Sequence, residues 1–241
     1  MRITLKITFL TFSTLVLLAA NYRIQAQGTF QNLDFESAMP PFVSVGGGGF
    51  DFVAVSNALP AWTPYIGTNA AVAVLHNSLF LGTAVVGILG PGWTNGPTAL
   101  DGSYSVILQA GANSSLTAVV PAAIAQSALI PVDAKSIQFK AAVFGALNTT
   151  GLLGVYIGGQ SISIVPLLAT GNYVLYGADI SQFAGQVTEL RIAALPTELA
   201  FGNAYLDSIE LSSAAIPEPS TLSLPALGAL LLGWRFLRRG R

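Results

Sequence analysis

The sequence predicts an all-β fold, an antiparallel β-sandwich, for residues 27–214 of this 241-residue chain. Three observations carry the prediction. Short segments of alternating apolar and polar residues recur, which is the period of strands with one buried face. Turn chemistry separates them: the four glycines 46–49, Asn95-Gly96-Pro97, Asp101-Gly102, residues 148–151 and Gly171-Asn172. No segment carries a long apolar stripe at the 3.6-residue period with helix caps. Many short strands with frequent turns are the signature of a sandwich or barrel.

In chain order the candidate strands are 31–37, 50–56, 71–76, 84–89, 103–109, 116–120, 136–143, 152–157, 160–165, 173–179, 187–194 and 204–211. In 136–143, Ile137, Phe139, Ala141 and Val143 share one face, and Ser136, Gln138, Lys140 and Ala142 take the other. In 187–194, Val187, Glu189, Arg191 and Ala193 alternate with Thr188, Leu190, Ile192 and Ala194. Gly158-Gly159 between two such runs signals a tight hairpin. Residues 122–129 read as the one short helix. No internal repeat is present. The glycines 46–49 form a loop, because they lack the strand-to-helix context that phosphate-binding glycines need.

Composition narrows the class. Charged residues make up only 9% of the chain and hydrophobic ones 52%, against about 25% charged in ordinary globular domains. Disorder does not explain this, since Val, Ile, Phe and Thr are abundant. Between residues 27 and 216 no apolar run approaches the roughly 20 residues of a spanning helix. That stretch holds three basic residues, Lys135, Lys140 and Arg191, against ten acids, a formal net charge of −7. An acidic body argues against nucleic acid, which needs clustered Lys and Arg, and against adsorption to anionic lipid. The absence of cysteine excludes disulfides, thiolate catalysis and Cys–zinc sites.

The two ends are addresses. Arg2 and Lys6 precede an apolar run from Ile7 to Ala20, and Ile24-Gln25-Ala26 offers a cleavage site. This is the grammar of a secretory signal peptide over residues 1–26, and it implies the secretion translocase and signal peptidase as partners. The other end begins with Pro217-Glu218-Pro219. An apolar run of 13 residues reaches Trp234, and Arg235, Arg238, Arg239 and Arg241 follow. As a helix the run is about 20 Å long, short of a hydrocarbon core of about 30 Å. Trp234 and the arginines suit the cytoplasmic interface. With its three parts in order at the C-terminus, residues 215–241 resemble the PEP-CTERM sorting signal of Gram-negative bacteria. The resemblance implies a short transmembrane helix that holds the chain transiently at the inner membrane, and cleavage by an exosortase.

A second resemblance covers the body. Gln31-Asn32-Leu33-Asp34-Phe35-Glu36 resembles the opening strand of jelly-roll carbohydrate-binding modules and galactose-binding-like domains. Residues 183–192 and 204–211 resemble their last two strands. This implies a jelly roll whose first and last strands are neighbours, and a structural calcium between them. At the matching positions it nominates Asp34, Glu36 and Asp207, whose oxygen chemistry suits a hard cation. The plainer reading of these acids is a solvated set at a sheet edge.

Catalysis finds little footing. His76 is the only histidine, and no Gly-x-Ser-x-Gly elbow exists. Trp62, Tyr65, Trp93 and Tyr104 lie in or near turn-rich segments, where aromatic faces can stack on sugars. Trp62 and Trp93 are the candidate platform, with core packing as the alternative. The expectation is an exported, envelope-sorted, non-catalytic component of the cell surface or of an exopolysaccharide or biofilm matrix. Two alternatives stand beside it. One is a module that binds extracellular polysaccharide. The other is a glycan hydrolase with two carboxyl groups about 5–9.5 Å apart.

Overall fold

The computed structural model describes residues 29–45, 51–79, 82–94, 99–144, 152–196 and 202–216. The leader 1–26, the tail from Pro217 onward, and the turns 46–49, 95–97 and 148–151 lie outside the described residues.

Among the described residues there are sixteen strands: β1 (Phe52–Ala54), β2 (Thr63–Ile66), β3 (Asn69–Ala70), β4 (Ala73–His76), β5 (Val85–Leu89), β6 (Ser105–Gln109), β7 (Gly111–Ala112), β8 (Val119–Val120), β9 (Ala122–Leu129), β10 (Ser136–Phe144), β11 (Leu153–Ile157), β12 (Gln160–Ile162), β13 (Val165–Ala169), β14 (Val174–Asp179), β15 (Val187–Ala194) and β16 (Asn203–Ser212). Eight form one sheet in the order β1-β4-β5-β6-β16-β10-β14-β13, and six form a second in the order β12-β11-β15-β9-β2-β3. β7 and β8 make a separate ribbon.

The two large sheets are the layers of a β-sandwich, because their apolar faces share one core. From the eight-stranded sheet come Val86, Ile88, Val106, Leu108, Ile137, Phe139, Tyr176 and Leu206; from the other come Ile124, Val155, Ile157, Leu190 and Ile192. The alternation in 136–143 and 187–194 thus set the faces. Ile137, Phe139 and Ala141 point inward and are fully buried, as do Leu190, Ile192 and Ala194. Gly158 and Gly159, at φ 57° and 79°, close the two-residue turn between β11 and β12, as a hairpin of this length requires.

Four expectations change. Residues 31–37 form turns, not an opening strand. Asn32 and Phe35 sit at φ 51° and 61°, and the Asn32 carboxamide oxygen accepts the Ser37 N–H at 3.0 Å. The turn drives Phe35 into full burial, 5.9 Å from the Trp62 ring. The segment still touches the last strand, where the Ile209 N–H donates to the Leu33 carbonyl at 2.9 Å.

Residues 122–129 form β9, not a helix. Their alanines suit a helix by intrinsic propensity, but β9 is paired along its length by β15 and over Ala122–Ala125 by β2. Its near-continuous burial is what a central strand shows. The segment 160–165 breaks after Ile162, and β13 continues in the opposite sheet. Finally, β4 and β5 pair in parallel, so the sandwich is not wholly antiparallel.

Candidate functional site

The outer face of the eight-stranded sheet is covered. Leu89, Trp93, Ile107, Ala142 and Tyr205 form a second apolar cluster there, with Leu79 and Leu100 packed against it. Beside this cluster a bulge interrupts β16. Gln138 pairs with Glu210 but Lys140 pairs with Asp207, and Ser208 sits at φ 47°. The extra residue turns Asp207 under the 99–104 loop, where it is fully buried. One carboxylate oxygen accepts the Ser105 hydroxyl at 2.7 Å and the Asp101 N–H at 2.9 Å; the other accepts the Ser208 N–H at 2.7 Å. Burial pushes its pKa up from the usual 3.8 to about 6, against the pull of these donors. Asp101 forms an ion pair with Lys140 that holds its own pKa below the usual range.

Glu36 reaches the same loop and accepts the N–H groups of Ser103 and Tyr104 at 2.7 and 2.8 Å. Glu36 and Asp207 therefore staple one loop through N–H donors. Asp34 bonds only within its own turn, accepting the Glu36 N–H at 3.3 Å. The expected calcium set is thus not assembled: among the described residues no three His, Cys, Asp or Glu side chains stand together as metal ligands. The aromatic platform is corrected too. Trp62 is 3% exposed and donates its indole N–H to the Asn32 carbonyl at 2.8 Å, while Trp93 is 7% exposed. Both rings are core, the first under the opening turn and the second in the outer cluster. His76 has a partner that the sequence did not reveal, Asp51, with Nδ1 2.8 Å from the carboxylate and Phe42 edge-on at 4.6 Å.

The outer face of the six-stranded sheet is different. Register brings Tyr156 opposite Arg191, Arg191 opposite Ala125, and Ala193 opposite Ala123, so all lie on that outward face. The small side chains leave a groove of about 650 Å³, within the size range of small-molecule sites. Ala123 and Ala193 line it from β9 and β15, Tyr156 and Glu189 from β11 and β15, and the Gly67-Thr68 turn with Pro121 at its β2 end.

Each polar member is held in place. The Arg191 guanidinium lies 4.2 Å from the Tyr65 ring centroid, and its Nε donates to Glu189 at 3.1 Å. This use of one guanidinium edge leaves its terminal amino groups for another acceptor. Tyr156 folds along the sheet over Gly154: a Cβ there would lie 2.9 Å from its ring and 3.0 Å from its hydroxyl. The arrangement therefore joins an apolar lining, a flat aromatic side chain, a fixed double donor and a carboxylate acceptor. The alternation of 187–194 placed Glu189 and Arg191 on one face, but only the strand order brought Tyr65 and Tyr156 to them.

Comparison with known families finds a match at the C-terminal end. Residues 215–239 match the model of the PEP-CTERM protein-sorting motif. The chain carries an exosortase sorting signal. The motif implies export, transient anchoring in the membrane and processing by an exosortase, as the resemblance of residues 215–241 suggested. Among the described residues no helix is long and apolar enough to cross a membrane; the run 222–237 lies outside them. No curated protein matches the chain.

Proposed function

We propose that this protein is a non-catalytic component of the cell surface or its exopolysaccharide matrix, delivered by its sorting signal. The observation that carries this reading is the sorting-motif match at 215–239, directly after a β-sandwich whose last strand ends at Ser212. An acidic sandwich joined to an export address suits a structural or adhesive surface role. The test is the intact mass of the protein recovered from the envelope and medium of its host. The expected species starts near Gln27 and ends near Pro217-Glu218-Pro219. A species that keeps 222–241 sinks processing and leaves a plain tail anchor; one that also keeps 1–26 sinks leader cleavage.

A second reading, recognition of extracellular polysaccharide, is favoured by the groove on the six-stranded sheet. The pair Trp62 and Trp93 no longer supports it. A hydrolase is disfavoured by the same groove, because two carboxyl groups must flank a scissile bond and the described lining holds one, Glu189.

A further inference from the structure

We infer that the Tyr156–Glu189–Arg191 groove takes a segment of neutral, hydroxyl-rich polysaccharide, and that it rejects polyuronates. The inference rests on the polysaccharide reading above and specifies its ligand class.

Three features define the ligand. First, donor and acceptor stand side by side. Arg191 and Glu189 are bonded at 3.1 Å, and each retains capacity beyond that bond: terminal amino groups on one, a second oxygen on the other. A hydroxyl both donates and accepts, so adjacent sugar hydroxyls satisfy both partners at once. A carboxylate satisfies only Arg191 and meets Glu189 as a like charge.

Second, the field is unfavourable to anions. The pair itself is neutral, and the stretch between residues 27 and 216 carries a formal net charge of −7. Low ionic strength strengthens that repulsion.

Third, the rest of the groove is mainly apolar. Above the buried Ala123 and Ala193, Pro121 and the half-buried Tyr156 ring offer C–H and π surface, to which the C–H face of a pyranose ring is complementary. Strands about 4.8 Å apart set the scale. From Tyr156 on β11 to the Gly67-Thr68 turn after β2 is three strand steps, roughly 14 Å. That span suits a chain segment of more than one ring.

The side chains are also pre-organised. Tyr65 and Glu189 fix the guanidinium from two sides, and Gly154 leaves room for the Tyr156 ring to lie flat. Side chains already held lose less freedom on binding.

The test is affinity electrophoresis of the full chain in mild detergent, through gels containing hydroxyethylcellulose, galactomannan or alginate. Retardation by at least one neutral polymer and none by alginate is expected. Arg191→Ala and Tyr156→Ala should each weaken retardation by about tenfold or more. Gly154→Ala should weaken it too, by lifting the ring without removing any ligand contact. Glu210→Gln, on the opposite outer face, should leave it unchanged. Thermal unfolding of each variant checks that it is folded, and Gly154→Ala, which deletes nothing, keeps the test open should Arg191→Ala fail to fold. Retardation by alginate alone overturns the neutral class while the polysaccharide reading survives. Neutral retardation unchanged in all three groove variants overturns the site. No retardation by any polymer overturns both the inference and the reading beneath it.

Discussion

Asp207 offers a quantitative test of the covered sheet face. Its buried carboxyl is pulled two ways: burial favours the protonated form, while the Ser105 hydroxyl and the Asp101 and Ser208 N–H groups favour the ionised one. The charges facing it are Asp101, which adds to the upward push, and Lys140, its partner across the strand pair. Burial prevails, and the folded pKa stands near 6 against 3.8. A folded pKa above the unfolded one stabilises the protein fully below the unfolded value, and the contribution is lost as pH rises through the folded value. About two pKa units at 1.36 kcal/mol each amount to ~3 kcal/mol. Asp207→Asn removes the titration while keeping one carbonyl oxygen for Ser105 and Asp101. Urea denaturation of both proteins from pH 4 to 7.5 isolates the site, because other groups cancel in the difference. The stability of wild type relative to Asp207→Asn should rise by about 2–2.5 kcal/mol on going from pH 7 to pH 4, mostly between 6 and 4, the full ~3 kcal/mol being reached only below the unfolded pKa. A difference that is flat, or that falls toward acid, would show that the three donors hold Asp207 ionised, and would refute the account.

Other expectations follow from single contacts. Trp62→Ala should cost about 3–5 kcal/mol in denaturant titration, as large aromatic truncations in a core do. Trp62→Phe should cost less, chiefly the bond to the Asn32 carbonyl, about 1 kcal/mol. Gly111→Ala should lower the melting temperature, because a Cβ there would lie 2.7 Å from the Gly82 carbonyl oxygen and 2.9 Å from Thr83 backbone, atoms that cannot swing aside. Gly159→Ala meets open space, so its cost of about 1 kcal/mol would come from φ alone.

The sandwich was legible because its strands obey period two, and the inward faces of β10 and β15 can be read off Ile137, Phe139, Leu190 and Ile192. The failures have physical causes. Residues 122–129 are apolar on both faces, so periodicity cannot separate a central strand from a short helix, and alanine tilts the choice the wrong way. The alternation in 31–36 is that of a strand, but Asn32 and Phe35 adopt left-handed backbone, which no apolar pattern encodes. Leu206 and Ile209 are both buried three positions apart; that slip from period two was a readable sign of the bulge that buries Asp207. The groove was least legible. It depends on β2, β9, β11 and β15 lying side by side, and sequence spacing does not give strand order. Tryptophans in turn-rich segments looked exposed, yet a large ring flanked by turns is also what closes the end of a core.

The position of the chain's exit bears on how the groove is presented. After β16 the chain turns across the eight-stranded sheet: the Ser136 hydroxyl donates to the Ala214 carbonyl at 2.7 Å. Ile216 then lies over Gly177, where a Cβ would come within 2.5 Å of its side chain. Gly177 pairs with Gln138 on the outward face, so the residues just before Pro217 leave from the outer side of that sheet. The groove opens on the outer side of the other sheet. A chain still anchored beyond Ile216 should therefore expose the groove and shelter the opposite face. The cysteine-free sequence makes single-cysteine labelling a clean assay. Ser161→Cys, beside Tyr156 in register, should react with a maleimide equally fast in the membrane-anchored chain and after detergent release. Glu210→Cys, exposed on the other face, should be slower while anchored. Slowing at position 161 with none at 210 would place the groove against the membrane, and a site for extracellular polysaccharide could not then open before processing.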